Sequence, residues 1–172
     1  MFKIIALVSL LAFATSTSSS AHTTGFKYQP IQEKVGVAPY SKVLDEKQLK
    51  CLADNIYFEA GNQKDIGMKA VAFATLNRLK HSAFPDTICE VVHQKIANVC
   101  QFSWTCFKKR KIQDYYAYYR SKRMAKLVMM NYGYMYDITK GATFFHRNDV
   151  WPGWANPKKR TIIIGRHLFY TL

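Results

Sequence analysis

Eleven carboxylates are spread over 172 residues, against 25 lysines and arginines, so acid–base chemistry has few places to sit. Asp45, Asp65, Asp86 and Asp114 stand where helix N-caps belong. Glu59 is different. At ~100° per residue it falls on the edge of the apolar stripe made by Leu49, Leu52 and Ile56, just after Tyr57-Phe58 and just before Gly61. A carboxyl group on such a rim is partly desolvated, which raises its pKa, and it can then stay protonated near neutral pH as a general acid. The competing reading is a structural Glu whose carboxylate meets an arginine or a backbone amide. Asp54 lies roughly 140° around the helix from Glu59 and does not share its face. Asp137 and Asp149 could approach it only through the tertiary fold, and Gln63 does not ionise.

Asn77, Gln101 and Ser103 are neutral donors and acceptors suited to hydroxyl and N-acetyl groups, and Trp104, Trp151 and Trp154 offer flat faces for sugar rings. Core packing is the competing reading for each tryptophan. Tyr57 and His146 could orient a bridging oxygen or satisfy hydrogen bonds within the fold. His93 reads as an ordinary buried histidine, and His167 fits either role. The histidines are scattered without HExxH spacing and the carboxylates do not cluster, so a zinc amidase and a metal-dependent nuclease lack their ligands. No metal and no cofactor is implied.

The elements that must position these groups are helices first and short strands last. Asp45 caps a helix running to Ala60 and stopped by Gly61; Asp65 to Leu79 is an alanine-rich second helix; Thr87 with Glu90 forms a capping box for a short third one reaching Gln94. An irregular stretch covers Ala97 to Thr105, and Asp114 to about Met135 is a long helix rich in Tyr and Met. Tyr115, Tyr119 and Lys122 are neighbours at helical spacing, so part of this face is expected in solvent; the tyrosines read as a packed helix with wet hydroxyl tips, with a saccharide-binding rim as the alternative. Gly141 to His146 is a strand, Asn148 to Pro157 a loop, and Thr161 to Tyr170 a strand or hairpin around Gly165. The class is α+β, mainly helical with a small C-terminal sheet.

Ahead of this domain (44–172), Met1-Phe2-Lys3, an apolar run to Ala14 and the Ser19-Ser20-Ala21 end read as a signal peptide over residues 1–21. Residues 22–43 read as an extended arm. Export to the periplasm or beyond, with no transmembrane anchor after cleavage, makes Cys51, Cys89, Cys100 and Cys106 an even set for two disulfides. Three pairings are open. Cys100 and Cys106 are close enough to staple one loop, which would leave Cys51–Cys89 as the long-range tie. A formal net charge of +14 suits anionic partners such as cell-envelope polymers. The Lys108-Lys109-Arg110-Lys111 run alone is no nucleic-acid motif, and none is expected as partner.

Several segments in order resemble the SleB/CwlJ-type cell-wall hydrolases. They are Asn55-Ile56-Tyr57-Phe58-Glu59-Ala60, Gly67 to Ala72, Asn77-Arg78, Phe84 to Cys89, Cys100 to Trp104, Gly141-Ala142-Thr143 with His146, Trp151-Pro152, Trp154-Ala155, and Gly165-x-His167-x-Phe169-Tyr170. The resemblance implies a lysozyme-like domain that cleaves peptidoglycan between MurNAc and GlcNAc, as lytic transglycosylases do, with Glu59 as the single acid and then base. It also raises Gln101, Ser103 and His146 as substrate-binding residues. Where the family often continues Glu-Ala with Arg-Gly-Glu, this chain has Gly61-Asn62-Gln63, which removes an acid and an arginine beside Glu59. Phe144-Phe145 ahead of His146 leaves one histidine fewer in the cleft. A hydrolytic muramidase would need a second acid near Asp137 or Asp149. The further alternatives are an N-acetylmuramoyl-L-alanine amidase and a cationic envelope or nucleic-acid-binding protein without catalysis.

Overall fold

Asp45 accepts the backbone N–H of Lys47 at 2.8 Å and of Gln48 at 3.2 Å, and so starts helix α1, Glu46–Ala60. The computed structural model describes residues 44–107 and 110–172; the expected leader (1–21), the arm (22–43) and Lys108-Lys109 lie outside the described residues. Gly61 ends α1 in a right-handed conformation with φ −57°, so the stop does not use the left-handed freedom of glycine. Helix α2, Asp65–Arg78, has Lys64 at its N-cap with no side-chain cap bond. Asp65 is therefore not the cap; it pairs with Arg120 at 2.6 Å. Thr87, rather than Asp86, caps α3, Ile88–His93, and Asp114 caps α4, Tyr115–Asn131, through the Ala117 N–H at 2.9 Å.

Helix α2 is apolar nearly all round, with Met68, Val71, Ala72, Phe73 and Leu76 buried, as a central helix must be. One side packs with α1, α3 and α4 around Leu52, Ile56, Val91 and Val128. The other presents Ala70 and Ala74 to Ala142, just ahead of the C-terminal sheet, and to Ile164 and Phe169 within it, where small side chains let the strands come close. That sheet has antiparallel order β3-β5-β4, with β3 Phe144–Arg147, β4 Arg160–Ile164 and β5 His167–Tyr170. The expected α+β class is what is found, and no helix among the described residues is long and apolar enough to cross a membrane.

Two features differ from the local reading. The stretch after α3 is not irregular throughout: β1 (Lys95–Ile96) pairs with β2 (Val99–Cys100), turned by Ala97 and Asn98 at φ 48° and 64°. Two left-handed residues in succession make the hairpin turn that glycine would normally announce. On α4, Tyr115, Tyr116 and Tyr119 stand mostly in solvent, because Ala117, Ser121, Ala125 and Val128 supply the buried face. Disulfides Cys51–Cys89 and Cys100–Cys106 use all four cysteines. The first ties α1 to α3, and the second closes the loop around the 3-10 turn Ser103–Cys106.

Candidate active site

A cleft of about 770 Å³ opens at the C-terminal end of α1, with Tyr57, Phe58 and Glu59 on its floor and Gly61 to Gln63 at its edge. The disulfide loop supplies Ser103 and Trp104, and the approach to α4 supplies Arg110, Lys111, Gln113 and Asp114. The opposite wall is the end of the sheet, Arg147 from β3 with Arg166 and His167 from the β4–β5 turn. Glu59 is half-buried, and among the described residues none donates a hydrogen bond to its carboxyl group or pairs with it. Burial raises its pKa from 4.5 to about 7, against the smaller opposing pull of Arg78, Arg110 and Arg147. With no arginine in the Gly61-Asn62-Gln63 stretch, the positive charges acting on Glu59 come from other elements.

Arg78, at the end of α2, is held entirely by the fold. Its Nε donates to Thr143 O at 2.7 Å, and its guanidinium lies 5.1, 4.8 and 5.5 Å from the rings of Phe84, Phe102 and Phe144. Burial lowers its pKa to about 10, partly offset by the charge of Glu59. Nη1 has no partner among the described residues. Tyr57 lines the cleft, and its hydroxyl oxygen accepts the N–H groups of Gln113 and Asp114 at 3.0 and 3.1 Å, fastening the wall to the floor. Trp104 stacks on Phe58 at 4.5 Å and donates Nε1–H to buried Asn55 at 2.9 Å, so its ring serves the floor as much as the cleft. Ser103 is exposed on the wall.

The other expected residues are not brought to the cleft. Asn77 spends its amide on Asp137, Thr139 and Ala142 O and accepts from Tyr132, fixing the loop before β3 to α2. Asp137 is consumed by the same loop, accepting also from the backbone of Thr139 and Gly141. Gln101 precedes the 3-10 turn and does not line the cleft; its backbone N–H bonds Gln94 O at 3.0 Å. Strand parity removes the rest. Arg147 sits opposite His167 and Phe145 opposite Phe169 on one face of the sheet; His146 therefore points to the other. There it is buried, with Nδ1 2.8 Å from Arg147 O and Nε2 2.9 Å from Tyr170 Oη. Trp151 and Trp154 flank it at 5.4 and 5.6 Å.

Asp149 is exposed, bonded to Arg147 and 3.9 Å from Arg166, and the Arg147 hydrogen bond holds its carboxyl below the usual range. It does not line the cleft, whereas Asp114 does. His93, expected to be buried, is exposed and meets Trp104 edge-on at 6.0 Å. Local pattern missed Arg110, Arg147, Arg166 and Asp114 as cleft residues, and gave His167 no firm role. The alternation Phe145-His146-Arg147 carried the signal for Arg147, but not which face was which.

This helical frame encloses a half-buried carboxyl group in a cation-rimmed cleft, and the chain belongs to the cell wall hydrolase family, which matches residues 62–170. Glu59 stands just ahead of the matched segment. The chain is 25% identical over 125 residues to the spore cortex-lytic enzyme of Halalkalibacterium halodurans, covering 72% of this chain and 34% of that protein. It thus spans about a third of that relative's length. The crystal structure of the catalytic domain of the Bacillus cereus SleB protein superposes with TM-score 0.55 and 21% identity, over 74% of this chain and 91% of that one. The catalytic domain of the germination-specific lytic transglycosylase SleB from Bacillus anthracis gives 0.56 and 21%, over 76% and 98%.

Proposed function

We propose that this protein cleaves the MurNAc–GlcNAc backbone of peptidoglycan as a lytic transglycosylase, with Glu59 as the acid and then the base. Glu59 gives its proton to the glycosidic oxygen as the C1–O bond breaks. The muramic 6-hydroxyl then attacks C1 and returns its proton to Glu59, so the sugar closes to a 1,6-anhydro product and no water is consumed. One observation carries the reading: a half-buried Glu59, without a hydrogen-bond partner among the described residues and with its pKa raised to about 7, can hold a proton at neutral pH and take it back. Arg110, Lys111, Arg147 and Arg166 on the rim match the carboxylates of stem peptides and other anionic envelope polymers. As an export signal, residues 1–21 carry the enzyme to where peptidoglycan lies and where disulfides persist.

A hydrolytic muramidase is the second reading, favoured by Asp114, which shares the cleft with Glu59 and could activate a water. Mass spectrometry of digested peptidoglycan separates the two. Anhydro products, one water lighter than the hydrolytic ones and absent with Glu59→Gln, support the transglycosylase. Reducing-end muramic products lost in Asp114→Asn establish the muramidase. An undigested wall overturns both.

A further inference from the structure

Gln63 has no part in the chemistry of Glu59, yet it is among the most tightly held side chains at the cleft. Its amide reaches from the α1–α2 turn to the β4–β5 turn, where Oε1 accepts the backbone N–H of Arg166 at 3.2 Å and Nε2 lies 3.1 Å from His167 Nδ1. Two glycines make the room. A Cβ at Gly67 would lie 2.7 Å from Gln63 Oε1, and one at Gly165, whose φ is +58°, would collide with the same oxygen. The Gln63 carbonyl in turn accepts from Arg120 Nη2 at 3.1 Å.

The direction of each hydrogen bond follows from its donor. A backbone N–H can only donate, so the amide oxygen of Gln63 must face Arg166. The NH₂ group then faces His167, and it too can only donate. Nδ1 must therefore accept, and the ring proton of a neutral His167 sits on Nε2. Its burial and the positive charges around it keep the ring neutral. Burial is the main cause lowering its pKa to about 4, helped by Arg147 and His146 on β3 and by Arg166 in the adjoining turn, with only Asp149 opposing. His167 borders the cleft as a residue only 1% exposed, and its Nε2 has no partner among the described residues. His146 shows the opposite arrangement, since a backbone carbonyl faces its Nδ1 and requires the proton there.

We propose that Gln63 is a positioning residue that locks His167 in its Nε2–H form, making His167 a binding residue that donates a hydrogen bond to an oxygen of the glycan strand in the cleft. The substrate half rests on the glycan reading above; the tautomer half does not. The Gln63→Glu substitution, which restores the acid of the resembling family, puts a carboxylate where the amide stands, and an ionised carboxylate accepts from Nδ1 instead of donating to it. The ring then titrates between an imidazolium, which still donates from Nε2, and a neutral Nδ1–H form, which does not.

Long-range ¹H–¹⁵N spectra of the labelled protein test the lock directly. His167 is expected in the Nε2–H form with no titration from about pH 5 to about pH 8, while Gln63→Glu brings its titration into that window. An Nδ1–H ring, or a wild-type titration near the ordinary histidine value, overturns it. Binding of purified glycan strands is then followed against pH in a Glu59→Gln background, so that Glu59 does not titrate. Kd stays flat with Gln63 and weakens roughly 10-fold as the ring deprotonates in Gln63→Glu. A flat Kd in Gln63→Glu overturns the donor role, and a protein that binds no strand at any pH overturns the glycan reading itself.

Discussion

Replacing Glu59 by Gln tests the central argument through stability as well as activity. The carboxyl group has a pKa of 4.5 in an exposed chain and about 7 in the fold. The fold therefore binds the proton more tightly than the unfolded chain does. The stability this confers is fully present below about pH 4.5 and is lost as pH rises through about 7. A difference of about 2.5 pKa units corresponds to about 3 kcal/mol, of which roughly 2.5 kcal/mol falls between about pH 5 and about pH 8.5. Glutamine has the same shape and never ionises, so the variant escapes this loss. Urea denaturation of both proteins across that range is the assay, read as their difference so that other titrating groups cancel. Glu59→Gln gains on the wild type by roughly 2.5 kcal/mol toward alkaline pH while losing peptidoglycan cleavage. The kcat/KM of the wild type falls about tenfold per pH unit above about 7, as the acid deprotonates. A stability difference independent of pH would refute the claim that burial, uncompensated by a partner, raises this pKa.

Two further outcomes follow from the fold and from strand parity. Replacing both Cys51 and Cys89 by Ser removes a tie closing a 38-residue separation, which costs about 4 kcal/mol and lowers Tm by on the order of 10 °C in calorimetry. An unchanged melt would mean that α1 and α3 are held by packing alone. Trp151→Ala leaves KM for peptidoglycan within about twofold, because Trp151 lies beside His146 on the sheet face turned from the cleft. A large rise in KM would place the glycan strand on that other face.

Local signals were legible wherever the cause is local. Asp45, Thr87 and Asp114 cap the helices they precede because a short side chain reaches only the next turn's N–H groups. Glu59 stood out because its angle on α1 depends only on helical geometry. The β1–β2 hairpin was not legible, since Ala97 and Asn98 adopt left-handed conformations without the glycine that normally marks such a turn. The disulfides lay between these cases: an even set of cysteines and a short loop narrowed the pairing, and the packing of α1 on α3 completed it.

The candidate site divides along the same line. Helical spacing is enough to put one carboxyl group on the rim of an apolar helix face beside Tyr57 and Phe58, and composition alone makes the chain strongly cationic. What surrounds that carboxyl group comes from distant parts of the chain brought together by the fold. Arg78, Arg110 and Arg147 oppose the burial of Glu59 from three different elements, and Asp114 combines a cap with a place in the cleft. His146 and His167 traded their expected standing because a side chain's face in a sheet alternates with every residue. Which parity faces the cleft is set by how Phe145 and Phe169 are buried against the rest of the fold. Burial of that kind is a sum over distant contacts, and local spacing does not contain it.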